Sequence, residues 1–146
     1  MTILDAYAVL AYLKDEAAAS AVQPLLVAPG ASLTSVGIAE VIDHLVRVGG
    51  ADEDQAVLDL AQMGLLDGLP VDSAIGVAAG RLRAHHYHRT RCAVSLADCV
   101  AAEVARSRQQ PLATSDPHLL DVCHSEAIAI TVLPGSDGTT WAPPMT

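Results

Sequence analysis

The chain has no phenylalanine, one tryptophan and three tyrosines, so aromatics make up only 3% of it. A flat platform of rings on which successive bases stack is thereby excluded. Any stacking falls to Tyr7, Tyr12, Tyr87 or Trp141. Lysine is almost missing as well: Lys14 stands alone, and eight Lys plus Arg face seventeen Asp plus Glu for a formal net charge of −9. That balance argues against broad non-specific affinity for nucleic acid, but not against a protein that touches a few phosphates through metals and a local basic patch. Cysteines are few and odd in number, and Cys92, Cys99 and Cys123 show neither CxxC nor Cys/His metal spacing. They read as buried thiols of a reducing cytoplasm. No apolar run approaches the roughly 18 residues of a membrane span. The N-terminus reaches a charge at Asp5 without a basic segment before it, which speaks against a secretory signal.

What the chain does have is apolar bulk. Its 146 residues are 51% apolar, enough for one domain with a sizeable core. Thr2-Ile3-Leu4 reads as a first strand, followed by helical spacing over Ala6 to Lys14 and again from Glu16 to Val27. Pro29-Gly30 breaks the pattern before a second strand at Ala31 to Thr34. Helices are expected at Val36 to Val48, stopped by Gly49-Gly50, and at Asp52 to Met63. Leu65 to Val71 reads as a third strand, Ala74 to His88 and Ser95 to Arg108 as helices, and Pro111 to Thr114 as a fourth strand. A short helix over Pro117 to Val122 and a β-rich run over Ala127 to Leu133 complete the domain. Such alternation predicts an α/β fold whose mostly parallel sheet of four to five strands is covered on both faces. Residues 134–146, rich in Gly, Thr and Pro, read as a flexible tail with Trp141 its one anchor.

Four carboxylates, Asp5, Glu40, Asp98 and Asp116, stand at or just beyond these strand-to-helix junctions. In an open α/β sheet, segments leaving the carboxyl ends of parallel strands converge on one crevice. Acids gathered there repel one another unless a cation sits among them, and all-oxygen ligands favour magnesium or manganese over zinc. Each acid also has an ordinary explanation. Asp5 caps a helix, Ser95-Leu96-Ala97-Asp98 matches a capping box, and Asp116 before Pro117 is a standard helix start. Glu40, Asp43, His44 and Arg47 share a helical stripe as solvated residues do. Capping and coordination are compatible, because a helix N-terminus fixes the carboxylate it presents. Spacing alone leaves the two readings evenly matched.

The local strings add a resemblance. Ile3-Leu4-Asp5-Ala6-Tyr7-Ala8-Val9-Leu10, Ser35-Val36-Gly37-Ile38-Ala39-Glu40-Val41, Ser95-Leu96-Ala97-Asp98-Cys99-Val100-Ala101-Ala102-Glu103 and Pro111-Leu112-Ala113-Thr114-Ser115-Asp116 resemble, in order, the four acidic blocks of PIN-domain ribonucleases. More narrowly they are similar to the VapC toxins of toxin–antitoxin modules. The likeness covers Thr2 to about Leu133 and departs at Gly37, where the family often has Asn. It implies a PIN-like three-layer α/β/α sandwich over residues 1–133. It also implies an endoribonuclease in which Asp5, Glu40, Asp98 and Asp116 hold Mg2+ or Mn2+, Asp5 and Asp98 most directly. Water activated by the metal would hydrolyse RNA to 5′-phosphate and 3′-hydroxyl ends. Thr114 or Ser115 would orient a carboxylate or water. A VapB-type antitoxin and a homodimer are the partners the resemblance implies, and a non-toxin RNA-processing nuclease or a non-catalytic binding module are the alternatives within the fold.

Half of the basic residues, Arg81, Arg83, Arg89 and Arg91, fall in one segment with His85, His86 and His88. They read either as an exposed helix end or as phosphate contacts, with Arg89 and Arg91 the RNA-binding candidates. His118 and the clustered histidines invite a general-base role that solvated histidines seldom fill. Two other classes fit less well. A phosphoacceptor receiver needs a lysine late in the chain, and a haloacid-dehalogenase-like phosphatase needs Asp-x-Asp where Asp5-Ala6-Tyr7 stands.

Overall fold

Three buried residues, Thr2–Leu4, form the central strand β1, and their alternating side chains divide the molecule into its layers. A computed structural model describes residues 1–27 and 29–145. In it β1 pairs in parallel with β2 (Ala31–Ser32) on one side and β3 (Leu112–Thr114) on the other, and β3 pairs in parallel with β4 (Ile130–Val132). The order is β2-β1-β3-β4. Leu4 and Ala113 point into a core built with α1 (Ala6–Leu13), α2 (Ala19–Val27), α3 (Ser35–Asp43) and α4 (Glu53–Gln62). Ile3 and Leu112 point the opposite way, against α5 (Ser73–His86), α6 (Leu96–Arg108) and α7 (Pro117–Ser125). The result is the expected three-layer α/β/α sandwich on a parallel sheet.

Three expectations need correction. Leu65 to Val71 is not a strand of the sheet, since it makes a single parallel bridge between Leu69 and Thr34. Leu69 N donates to Leu33 O and Ser35 N to Leu69 O, both at 2.9 Å, and pairing stops there. Pro70 has no N–H to extend it, and Gly68 lies so close to α3 that an added Cβ would meet Ile38 Cδ1 at 2.6 Å. The second helix starts at Ala19 rather than Glu16, because Asp15 takes a φ of +54° and turns the chain. The helix expected over Val36 to Val48 is α-helical only to Asp43 and continues as a π-helical turn, His44–Val48. Cys99 and Cys123 are buried, and burial pushes their thiols up to about 12. Cys92 is only half-buried, since it lies in the turn between α5 and α6.

Candidate active site

The chain passes from β1 to β2 on one side and returns to β3 on the other, so a crevice opens between the carboxyl ends of β1 and β3. Asp5 follows β1 and caps α1, its Oδ1 accepting from Ala8 N at 2.8 Å. Thr114, the fully buried last residue of β3, donates its hydroxyl to Asp5 Oδ2. Asp116 N donates to that same hydroxyl at 3.0 Å. The amide fixes Thr114 Oγ1 as its acceptor, so the hydroxyl proton is left for Asp5. One relay thus ties the first and fourth acidic blocks together across the sheet.

Asp116 caps α7, with Oδ1 accepting from His118 N at 2.8 Å and Leu119 N at 3.4 Å, and Pro117 takes the first turn. Asp98 completes a capping box: Ser95 Oγ accepts from Asp98 N and Asp98 Oδ2 accepts from Ser95 N, each at 3.0 Å. The capping roles are therefore real, and each cap employs one carboxylate oxygen. Among the described residues Asp98 Oδ1 and Asp116 Oδ2 form no hydrogen bond, and neither does the carboxylate of Glu40 on α3. Thr34 caps α3 through Gly37 N at 2.9 Å. Gly37 is packed against Leu33, whose Cδ2 would lie 3.2 Å from an added Cβ.

The electrostatics join the four acids. Burial raises the Asp5 carboxyl to about 7 against the hydrogen bonds from Thr114 and Ala8, and the charges of Asp98 and Asp116 add to the rise. Glu40 is raised by burial and by Asp98, and Asp98 by burial and by Asp116. Among the described residues no Lys, Arg or His pairs with any of the four. This is a set of mutually repelling oxygen ligands with no cation of the protein's own. Among the described residues no three His, Cys, Asp or Glu side chains stand close enough to clasp one ion between them. The charges would attract a hard cation, but as these side chains stand an ion would need waters to complete its coordination.

The remaining candidates lie around this crevice. Ser115 lines a cleft of 530 Å³ with Asp116, Tyr7, Lys14, His44 and Gly135. Arg89 and Arg91 are exposed in the turn after α5 and contact none of the four acids among the described residues. That turn is closed by His88 Nδ1, which accepts from Thr90 N and Arg91 N, and is tied to α7 by Ala93 N donating to His118 Nδ1 at 2.8 Å. His118 therefore serves as an anchor of the turn. Arg83 is committed to Val94 O at 2.9 Å and stacks on Tyr87. Trp141 donates to Asp121 Oδ1 at 2.8 Å, which brings Gly135 and Ser136 to the Asp116 side of the crevice. The cleft between Lys14, His44 and Tyr7 was not legible in the sequence. Its only signal was the single lysine of the chain.

The parallel α/β/α sandwich brings these acidic residues to the region beyond its strand ends, where open α/β folds place their ligand sites. Residues 2–125 match the PIN domain, and the chain belongs to that family, whose general activity is nucleolytic. No curated protein matches the sequence. The fold is similar to the crystal structure of FitAcB from Neisseria gonorrhoeae, at 16% identity and a TM-score of 0.63, covering 89% of this chain and 96% of that one. It is similar to VapBC2 from Rickettsia felis bound to a DNA fragment from their promoter, at 14% identity and a TM-score of 0.63, with 89% and 96% covered. FitAB bound to the IR36 DNA fragment gives 16% identity and a TM-score of 0.64, with 90% and 94% covered. Among the described residues no helix is long and apolar enough to cross a membrane.

Proposed function

We propose that this PIN protein is a magnesium- or manganese-dependent endoribonuclease acting as the toxin of a type II toxin–antitoxin pair in the cytoplasm. The observation that carries the reading is the Asp5–Thr114–Asp116 relay beside Asp98 and Glu40: an intact, uncompensated acid set on ordered supports. A non-catalytic binding module has no need to keep like charges together around a buried Asp5. Asp5 and Asp98 would hold the metal most directly, with Glu40 and Asp116 acting partly through water. A metal held by these carboxylates would supply a water of lowered pKa and charge neutralisation at the leaving oxygen. The chain's part is positional. Thr114 holds Asp5, the capping box holds Asp98, and the α7 cap holds Asp116, so the carboxylates need not reorganise when phosphate arrives. Arg89 and Arg91 contribute phosphate contacts from the tethered turn.

The toxin assignment rests on the resemblance of the acidic blocks and on the fold's likeness to VapBC2, which is seen with promoter DNA. A small antitoxin with a basic tail suits an acidic crevice, since an Arg or Lys can replace the metal's charge without supporting hydrolysis. A homodimer is the expected assembly.

The test is cleavage of RNA by wild type and Asp5→Asn with magnesium, with manganese and with chelator, accompanied by thermal melts. Cleavage should need the metal and vanish in the variant while the fold persists. Cleavage that resists chelation would overturn the mechanism.

A further inference from the structure

Lys14 caps the C-terminal end of α1, and its Nζ lies 2.9 Å from His44 Nε2. An ammonium only donates, so in a contact made by the lysine ammonium the ring nitrogen is the acceptor. Lys14 forms no ion pair among the described residues, although Glu16 and Asp116 line the same 530 Å³ cleft. A long, exposed lysine is thus held against the cleft wall by a ring nitrogen and not by a carboxylate. Tyr7, two residues beyond Asp5, meets His44 edge-on with ring centroids 6.0 Å apart and leaves 57% of its surface exposed. The Tyr7–His44 pair also borders a smaller cleft of 130 Å³ that contains Glu40. It forms a ridge between the Asp116 and Glu40 sides of the crevice.

A cation, a hydroxyl at Ser115 and an exposed ring around a cleft of this size complement one nucleotide: phosphate, ribose and base. We infer that the Lys14–His44–Tyr7 cleft is a nucleotide-binding subsite next to the scissile phosphate. Lys14 contacts a non-bridging phosphate oxygen, Tyr7 offers its ring to the base, and His44 is the positioning residue for Lys14. The inference rests on the nuclease reading and names where that substrate's neighbouring nucleotide sits.

The experiment is fluorescence anisotropy with a short, mixed-sequence single-stranded RNA in magnesium, using Asp98→Asn as the parent so that bound RNA stays whole. Adding Lys14→Ala should weaken binding about tenfold and flatten the salt dependence by about 0.7 in log–log slope, as one lost phosphate contact does on a single strand. Lys14→Arg should restore both, and Tyr7→Ala should weaken binding about tenfold through lost stacking. With Asp98 intact, Lys14→Ala should raise KM far more than it lowers kcat. Equal affinity and slope for parent and Lys14→Ala would make Lys14 a solvated helix end. That result alongside metal-dependent cleavage by wild type removes the subsite alone. Lys14-dependent binding without any cleavage by wild type keeps the subsite and removes the nuclease reading, and a wild type that neither binds nor cleaves RNA removes both.

Discussion

Asp5 carries a heavy electrostatic load. Its carboxyl stands at about 7 in the folded chain against 3.8 for the free side chain, and it is 5% exposed. Between those two values the folded state holds a proton that the unfolded state has released, so stability falls as pH rises through the interval. At 1.36 kcal/mol per unit, the metal-free protein should lose about 4 kcal/mol from this group by pH 7. Denaturant midpoints of metal-free protein from pH 4 to 7 should show that decline, and Asp5→Asn should flatten it. Thr114→Val tests the support behind the acid. It removes the donor to Asp5 Oδ2 and the acceptor for Asp116 N, and loss of such an outer partner typically weakens metal binding 10- to 100-fold. Thr114→Ser keeps the hydroxyl and should stay near wild type in a manganese titration.

Ser95 separates the cap of α6 from the chemistry of Asp98. Ser95→Ala removes the oxygen that accepts from Asp98 N but leaves Ser95 N donating to Asp98 Oδ2. It should lower stability by about 1 kcal/mol in denaturant melts while changing RNA cleavage little. The sheet is more demanding. Leu4→Ala opens the core on the α1–α4 side and should cost about 2–5 kcal/mol. These elements were legible in the sequence because their determinants are local: apolar period, an acid or hydroxyl at the cap, Pro117 inside a first turn. Leu65 to Val71 misled for the opposite reason. Its apolar residues suit a strand, but Gly68 and Pro70 limit it to one bridge, and only the approach of Ile38 and Ser35 reveals why. The π-helical turn at His44–Val48 was equally hidden, since periodicity does not distinguish it from continuing α-helix. The four acids were visible as a set through their junction positions. The Thr114 relay was only half visible, because which hydroxyl meets which acid depends on β1 lying beside β3.

At the scale of the whole molecule, a net charge of −9 and an acidic crevice set the terms for partners. Under the proposed function, RNA would have to be drawn in by bound metal and by few cations. The proposed basic-tailed antitoxin would meet the crevice with opposite charge. A pull-down with the product of the neighbouring small gene, followed by RNA cleavage with and without its basic tail, should show inhibition that needs the tail. Full inhibition by a tail-less partner would place the inhibitory contact elsewhere.

The central claim is that Asp5, Glu40, Asp98 and Asp116 form one divalent-cation site. Isothermal titration of manganese into wild type and Asp98→Asn, with the melt of each as a control on folding, tests it most directly. The variant should keep its capping box through an amide oxygen and bind the metal at least about tenfold more weakly. Equal affinity in the two proteins would contradict the site and leave these acids as helix caps.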